Sequence, residues 1–229
     1  SIISLSRQYA YRINELIIGP PASGKTLLGD ILEDVLGGLV LRAGANTTRA
    51  GLVINMMTGE PGILLRADGK VVIVDEFSAI DPSELEKVLE LMWKGEVTVM
   101  SGNVKGTYRS RFVMIAFTNP KKDLFTGRLE DDLPVEPALA NRFAFTVKTQ
   151  EAGEEEALDL MEALILAQGP GGSRVSRGEL LGWLRAAWSV QPSVPREVGR
   201  MMAEELNKMY SYWRRRGIGK IMSRAVIKR

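Results

Sequence analysis

Five short apolar runs punctuate the first two thirds of the chain: Leu16–Ile18, Leu39–Leu41, Val71–Val74, Phe112–Phe117 and Phe143–Val147. Each is too short for a buried helix, and most are rich in β-branched or aromatic side chains, as strands covered on both faces are. Helical periodicity separates several of them, which predicts a parallel sheet with crossover helices. One helix should follow Leu16–Ile18, with Leu27, Leu28, Ile31 and Leu32 as its apolar positions. Another should follow Pro82, with Asp81 as N-cap, Pro82 at the first helical position and Glu84 in the first turn. Its Leu85, Val88, Leu89 and Met92 fall at core spacing, and Gly95 ends it.

Beyond about residue 150 the strand signal stops. Residues 154–167 read as a helix and 169–172 as a loop. Ser176-Arg177-Gly178-Glu179 reads as a capping box for a helix through Ser189, and a long helical pattern runs from Pro195 to Arg214. The expected organisation is an α/β subdomain over residues 1–150 and a small all-helical subdomain over residues 151–229. The basic tail, from Arg214-Arg215-Arg216 to Lys228 and Arg229, reads as a solvated helix face, with a nucleic-acid contact as the competing reading.

Composition closes several routes. The 229 residues include no cysteine and no histidine. Disulfides, thiolate zinc sites, a Cys nucleophile, zinc hydrolase chemistry and Ser-His-Asp catalysis are therefore excluded. A general base must be a carboxylate or a lysine. Thirty basic and 28 acidic residues leave a net charge of +2, which argues neither for nor against a nucleic-acid partner. No apolar run approaches the ~20 residues of a membrane span, so no membrane role is expected. No secretory signal pattern opens the chain, and its first residue, Ser1, reads equally as a processed start or as the edge of a fragment of a longer protein.

The strongest chemical signal is Gly19-Pro20-Pro21-Ala22-Ser23-Gly24-Lys25-Thr26, which fits G-x-x-x-x-G-K-[ST] between the first strand and a helix. Glycines let the backbone wrap so that its N–H groups face phosphate oxygens, and the helix adds its positive end. Lys25 would reach the β- and γ-phosphates and the Thr26 hydroxyl would ligate Mg²⁺. A chance match in a chain this long is on the order of one per cent at average residue usage. The sequence predicts a nucleoside triphosphate site.

Two strand ends complete it. Val71–Val74 delivers Asp75-Glu76 to the carboxyl edge of the sheet, where ligands of open α/β sheets bind. Asp75 would hold Mg²⁺, mostly through its waters, and Glu76 would polarise the attacking water. Phe112–Phe117 leads to Thr118-Asn119-Pro120, where Asn119 would hydrogen-bond the attacking water or the γ-phosphate.

With these motifs the chain resembles the AAA+ ATPases, and within them the minichromosome-maintenance (MCM) replicative helicases. The resemblance covers roughly residues 14–210. It includes Thr48–Leu52, Thr58-Gly59-Glu60 and Ala67-Asp68-Gly69 leading into Val72–Phe77, and Asn119-Pro120 as sensor 1. Ala140-Asn141-Arg142-Phe143 is similar to the motif that supplies an arginine finger to the neighbouring subunit. Val194-Pro195-Arg196-Glu197-Val198 is similar to sensor 2. The resemblance implies an AAA+ P-loop NTPase fold, with a parallel sheet core and a small C-terminal all-helical lid subdomain. It implies ATP and Mg²⁺ as cofactors, a homo-oligomeric ring, expected as a hexamer, and a cytoplasmic (nucleoid-associated) or nuclear location. Arg142 and Arg196 would complete a neighbour's site.

The chain departs from the family at three places. Gly24-Lys25-Thr26 stands where the family usually has Ala-Lys-Ser, and the stretch between Ala50 and Asp68 is shorter than usual. The hairpin Val97–Arg111, with its turn expected at Gly102-Asn103, carries Ser101 where the family presents a Lys to DNA. Lys105 and Arg109, with Arg111, would substitute in part, so weak DNA contact is expected for this chain alone. Two other classes remain: a MoxR-type or chelatase-like AAA+ chaperone, which Glu90–Thr98 followed by Thr118–Pro120 would also serve, and a catalytically weak MCM homologue.

Overall fold

The computed structural model describes residues 13–55, 57–101, 104–122, 132–135, 137–140, 142–149, 153, 158, 176–189 and 193–215. The turn expected at Gly102-Asn103, Asn141, the helix over 154–167 apart from residue 158, the loop over 169–172 and the basic tail beyond Arg215 lie outside the described residues.

Each of the five apolar runs contains a strand, and the expected hairpin supplies two more. In chain order the strands are β1 (Glu15–Ile18), β2 (Val40–Ala43), β3 (Val71–Val74), the hairpin β4 (Glu96–Ser101) and β5 (Val104–Arg109), then β6 (Val113–Thr118) and β7 (Phe145–Lys148). β1, β2, β3, β6 and β7 form one sheet in the order β2-β3-β6-β1-β7, and every neighbouring pair is parallel. The chain has the α/β P-loop fold its strand and helix pattern predicts. β7 starts two residues later than the apolar run, because the Phe143 N–H closes a turn onto the Ala140 carbonyl at 3.1 Å. The Phe143 ring then packs edge-on against Phe77, with centroids 5.1 Å apart.

Alternation along the strands divides the core into two layers. Leu16, Ile18, Val72, Val74, Met114 and Ala116 meet Val88, Leu91 and Met92 of α3 (Leu85–Lys94). Ile17, Val71, Ile73, Ile115 and Phe117 meet Leu32, Val35 and Leu36 of α1 (Lys25–Leu36). Burial of each such side chain contributes about 1.5–3 kcal/mol. These two layers fix the sheet that carries the site at its carboxyl edge.

Two helices differ in detail from the sequence pattern. In α1, Leu27 and Ile31 are exposed and Leu28 is largely so. The helix approaches the sheet through buried Gly29, where a Cβ would lie about 3.2 Å from Phe117 and the Arg42 guanidinium. That approach turns the 27, 28 and 31 positions outward. Before α3, residues 82–84 form a tight turn rather than α-helix. Glu84 N–H and Leu85 N–H bond back three residues to Asp81 and Pro82. Asp81 still caps this turn, accepting the Ser83 N–H at 2.8 Å, and hydrogen bonds from the Ser83 side chain and N–H hold its carboxyl below the usual range.

Four further α-helices belong to the described fold: α2 (Ala45–Ala50), α4 (Pro137–Ala140), and the pair α5 (Arg177–Ser189) and α6 (Arg196–Arg215). The capping box opens α5 as its residues predict. Ser176 Oγ accepts the Glu179 N–H at 3.2 Å, and the Glu179 carboxylate accepts the Ser176 N–H at 2.8 Å. No helix among the described residues is long and apolar enough to cross a membrane.

Candidate nucleotide site

A cleft of about 610 Å³ opens at the carboxyl edge of the sheet. Residues 21–27 form one wall, Asp75 and Glu76 after β3 form the second, and Phe117, Thr118 and Asn119 of β6 form the third. The side chains singled out from three distant stretches of sequence therefore share one cleft.

The loop after β1 is held as tightly as a strand. Gly19 N–H donates to the Thr118 carbonyl at 3.1 Å. Only glycine fits there: a Cβ would lie 1.8 Å from Thr149 Oγ1 and 2.5 Å from Ser23 Oγ. Those two hydroxyls bond each other at 2.8 Å, and Thr149 N–H donates to the Ile18 carbonyl. Ala22 and Gly24 both have left-handed backbones, with φ of 63° and 79°. For alanine this conformation costs roughly 1 kcal/mol or more, a strain of the kind concentrated at ligand-binding turns. Lys25 Nζ donates to the Gly19 and Pro20 carbonyls, both at 2.6 Å, and to Ser23 Oγ. Burial lowers its pKa.

The acidic wall is braced by two arginines. Asp75 N–H donates to the Ala43 carbonyl, and its own carbonyl accepts from Thr48 Oγ1 of α2 at 2.9 Å. Arg42 Nε of β2 donates to Asp75 Oδ2 at 2.9 Å, while Arg42 Nη1 reaches Asp30 and Glu33 on α1. Burial works against the Arg42 charge, but the carboxylates of Asp30, Asp75 and Glu33 outweigh it and displace its pKa upward. Glu76 has φ of 50°, an uncommon backbone for a residue with a long side chain. Its carboxylate accepts from Arg49 Nη2 at 2.9 Å. Asn119, exposed at the tip of β6, faces the same cleft.

This donor set suits a nucleotide-borne Mg²⁺. Such an ion takes one hydroxyl, one or two carboxylates, phosphate oxygens and waters; Thr26 and Asp75 are the residues that can hold it. Among the described residues no group of three His, Cys, Asp or Glu forms an all-protein metal cage.

The remaining expected residues lie away from this cleft. Arg142 follows α4, with its guanidinium over the Trp93 ring at 4.9 Å from the centroid. Arg196 is the first residue of α6 and is exposed. Neither lines the cleft. Lys105 and Arg109 are exposed on the outer face of the hairpin, opposite Met100 and Glu96, while Val97 and Val99 are buried on its inner face. Arg111 is committed elsewhere. It grips Asp68 through Nε, Nη2 and its N–H at 2.8–3.3 Å.

Arg42, Arg49, Thr149 and Asn14 were assigned no part by sequence reasoning. Each acts through a partner 27 to 128 residues away, and no local pattern reveals that pairing.

A β-strand, a phosphate-type loop, a helix, and an acid pair at the end of β3, separated from β1 by β6 alone, define a P-loop nucleotide-binding protein. The MCM P-loop domain family matches residues 4–166. Among curated relatives, the minichromosome maintenance protein MCM of Saccharolobus solfataricus is 26% identical over 158 residues, covering 64% of this chain and 23% of that protein. DNA replication licensing factor Mcm6 of Drosophila melanogaster is 22% identical over 222 residues, covering 90% of this chain and 27% of its own length. DNA replication licensing factor mcm5 of Dictyostelium discoideum is 26% identical over 139 residues, covering 57% and 18%. The chain belongs to the MCM P-loop domain family. It spans about a quarter or less of the length of these relatives.

Proposed function

We propose that this chain is the ATP-hydrolysing motor module of an MCM-type replicative DNA helicase, working as a ring of like subunits with active sites shared between neighbours. The observation that carries the reading is the convergence of Lys25, Thr26, Asp75, Glu76 and Asn119 on one cleft. Residues 1–150 would form the nucleotide-binding subdomain and 151–229 a helical lid. The module would act where chromosomal DNA is copied, in the nucleoid or the nucleus.

In this reading the curled backbone of residues 19–24 cradles the phosphates. Lys25 exchanges its carbonyl partners for β- and γ-phosphate oxygens, a favourable trade because those oxygens carry full charge. Asp75 is held by Arg42 through one oxygen, and with Thr26 it would hold the ion. Glu76 takes the proton of the attacking water, and Asn119 fixes that water or the γ-phosphate. Mg²⁺, when bound by Thr26 and Asp75, neutralises charge on the phosphates. Arg142, and Arg196 from the start of α6, supply guanidinium groups to the site of the adjacent copy. Lys105 and Arg109 on the hairpin contact DNA phosphates, weakly for this chain alone.

Paired variants test the chemistry. Lys25→Ala should abolish triphosphate binding. Glu76→Gln should retain ATP, measured by equilibrium titration, and lose turnover. Parent-rate hydrolysis by Glu76→Gln would refute the base assignment. The hairpin lacks a tip lysine, and that favours the second reading, a protein-remodelling AAA+ chaperone. Stimulation of hydrolysis by single-stranded DNA, expected here and not for the chaperone, separates the two.

A further inference from the structure

The arginine at position 142 is anchored in two different ways at its two ends. Its main chain is fixed by hydrogen bonds. The Arg142 N–H donates to the Leu139 carbonyl at 3.0 Å, and its carbonyl accepts from Asn14 Nδ2 at 3.2 Å. Asn14 is 1% exposed, its Oδ1 accepts from the Met114 N–H of β6 at 2.9 Å, and its carbonyl accepts from Ala144. One buried carboxamide thus ties the root of the arginine to the middle of the sheet.

The side chain has no such polar anchor. Its Nε is buried without a hydrogen-bond partner, and no carboxylate among the described residues pairs with it. What covers it is Trp93, in the last turn of α3, with Cζ 4.9 Å from the ring centroid. The two residues are 49 positions apart. This arrangement is unusual for a structural arginine, which would normally hold a carboxylate in its fork. An aromatic face grips a guanidinium by its plane and leaves the edge donors available. A carboxylate would occupy those donors and cancel the charge.

We propose that Trp93 is the positioning residue of Arg142: its indole face fixes the plane of the guanidinium so that the terminal donors project toward a triphosphate held by a neighbouring copy of this chain. The proposal rests on the shared-site reading given above. Burial lowers the Arg142 pKa, so this orientation carries a desolvation cost that phosphate contact would recover.

Complementation between variants tests both ideas separately. Lys25→Ala protein has an intact finger and a dead triphosphate site; Arg142→Ala protein has the reverse. Recovery of hydrolysis on mixing these two establishes the shared site without reference to Trp93. Trp93→Ala alone should then lose about tenfold in turnover, the size of a desolvated cation–π contact. Its affinity for a fluorescent ATP analogue should stay within about twofold of the parent, since its own cleft is untouched. Mixed with Lys25→Ala it should recover activity, and mixed with Arg142→Ala it should not, because both then lack a working finger. Trp93→Phe should retain more turnover than Trp93→Leu, which keeps apolar volume without a π face and guards against a simple folding defect. Equal turnover for Phe and Leu, or recovery of Trp93→Ala with Arg142→Ala, would overturn the proposal while leaving the shared site standing. Failure of Lys25→Ala with Arg142→Ala to recover, in subunits shown to mix, would overturn both.

Discussion

Glu84 offers the sharpest test of how this fold is held together. Its carboxylate is 1% exposed and receives three consecutive backbone N–H groups. Leu52 donates to Oε2 at 2.5 Å, Ile54 to Oε1 at 2.6 Å, and Val53 lies 3.2 Å from both oxygens. Gly51 makes the curl possible. Its φ is +119°, and a Cβ there would lie 1.9 Å from the Ile54 carbonyl oxygen. Hydrogen bonds to a charged acceptor contribute roughly 1.5–3 kcal/mol each, but the carboxylate also gives up its hydration, so the three do not sum. The useful quantity is the cost of leaving three buried donors without an acceptor. By analogy with removing one partner of a buried ion pair, Glu84→Ala should cost about 4 kcal/mol. With a urea slope of about 2 kcal/mol/M, the unfolding midpoint should fall by about 2 M. Glu84→Gln keeps one oxygen but turns an NH₂ toward a donor, and should cost about 2–3 kcal/mol. Urea unfolding followed by circular dichroism measures both. If both variants lie within about 1 kcal/mol of the parent, the reasoning fails, and residues 52–54 are held by other means.

Three more expectations follow from single contacts. Gly19→Ala should break the Ser23–Thr149 hydroxyl bond and weaken triphosphate binding at least about tenfold. Thr149→Ala in the same chain should restore part of it, read by fluorescent-nucleotide titration. At Asp68, burial pushes the carboxyl up, but the hydrogen bonds and charge of Arg111 outweigh it, so its pKa lies below the ordinary value. Its stabilisation is therefore complete above the unfolded carboxyl pKa and is lost as pH falls through the lower folded value. Asp68→Asn should flatten thermal stability across that acid window and leave it unchanged in slope near neutrality. On the hairpin, Lys105→Ala with Arg109→Ala should reduce the salt dependence of single-stranded DNA binding by about one counterion per charge removed. Identical slopes for parent and double variant would remove the hairpin from the DNA contact.

The parts of this molecule legible in its sequence are those set by local chemistry. Val71–Val74 reads as a doubly covered strand because every residue is apolar, and it is one. The loop from Gly19 to Thr26 reads as a phosphate cradle because glycines and Lys25 fall at fixed spacing. Ser176 and Glu179 cap α5 because their bonds span only three residues. Glu84 was misjudged for the opposite reason. From sequence it is a first-turn acid of a helix, a role worth tenths of a kcal/mol. Its actual partners lie some thirty residues back, and reaching them tightens the first turn before α3.

The same limit applies at the site, with a consequence for how its residues should be assigned. Asp75 and Glu76 are recognisable because an apolar strand precedes them, yet nothing in the sequence around Arg42 or Arg49 says that these arginines pair with Asp75 and Glu76. β7 shows the point most directly. Just before it Phe143 packs on Phe77, next to Glu76, and Arg142 stacks on Trp93. Immediately after its end Thr149 holds Ser23 inside the phosphate loop. One four-residue strand, pairing in register with β1 from Glu15 to Ile18, thus spans the distance between the candidate finger and the subunit's own loop. Its sequence, Phe-Thr-Val-Lys, announces only a strand. What it joins is decided by the sheet order, which places β7 beside β1, and sheet order is a property of the whole chain. A motif search therefore finds the residues that would touch phosphate, and only the fold finds those that aim them.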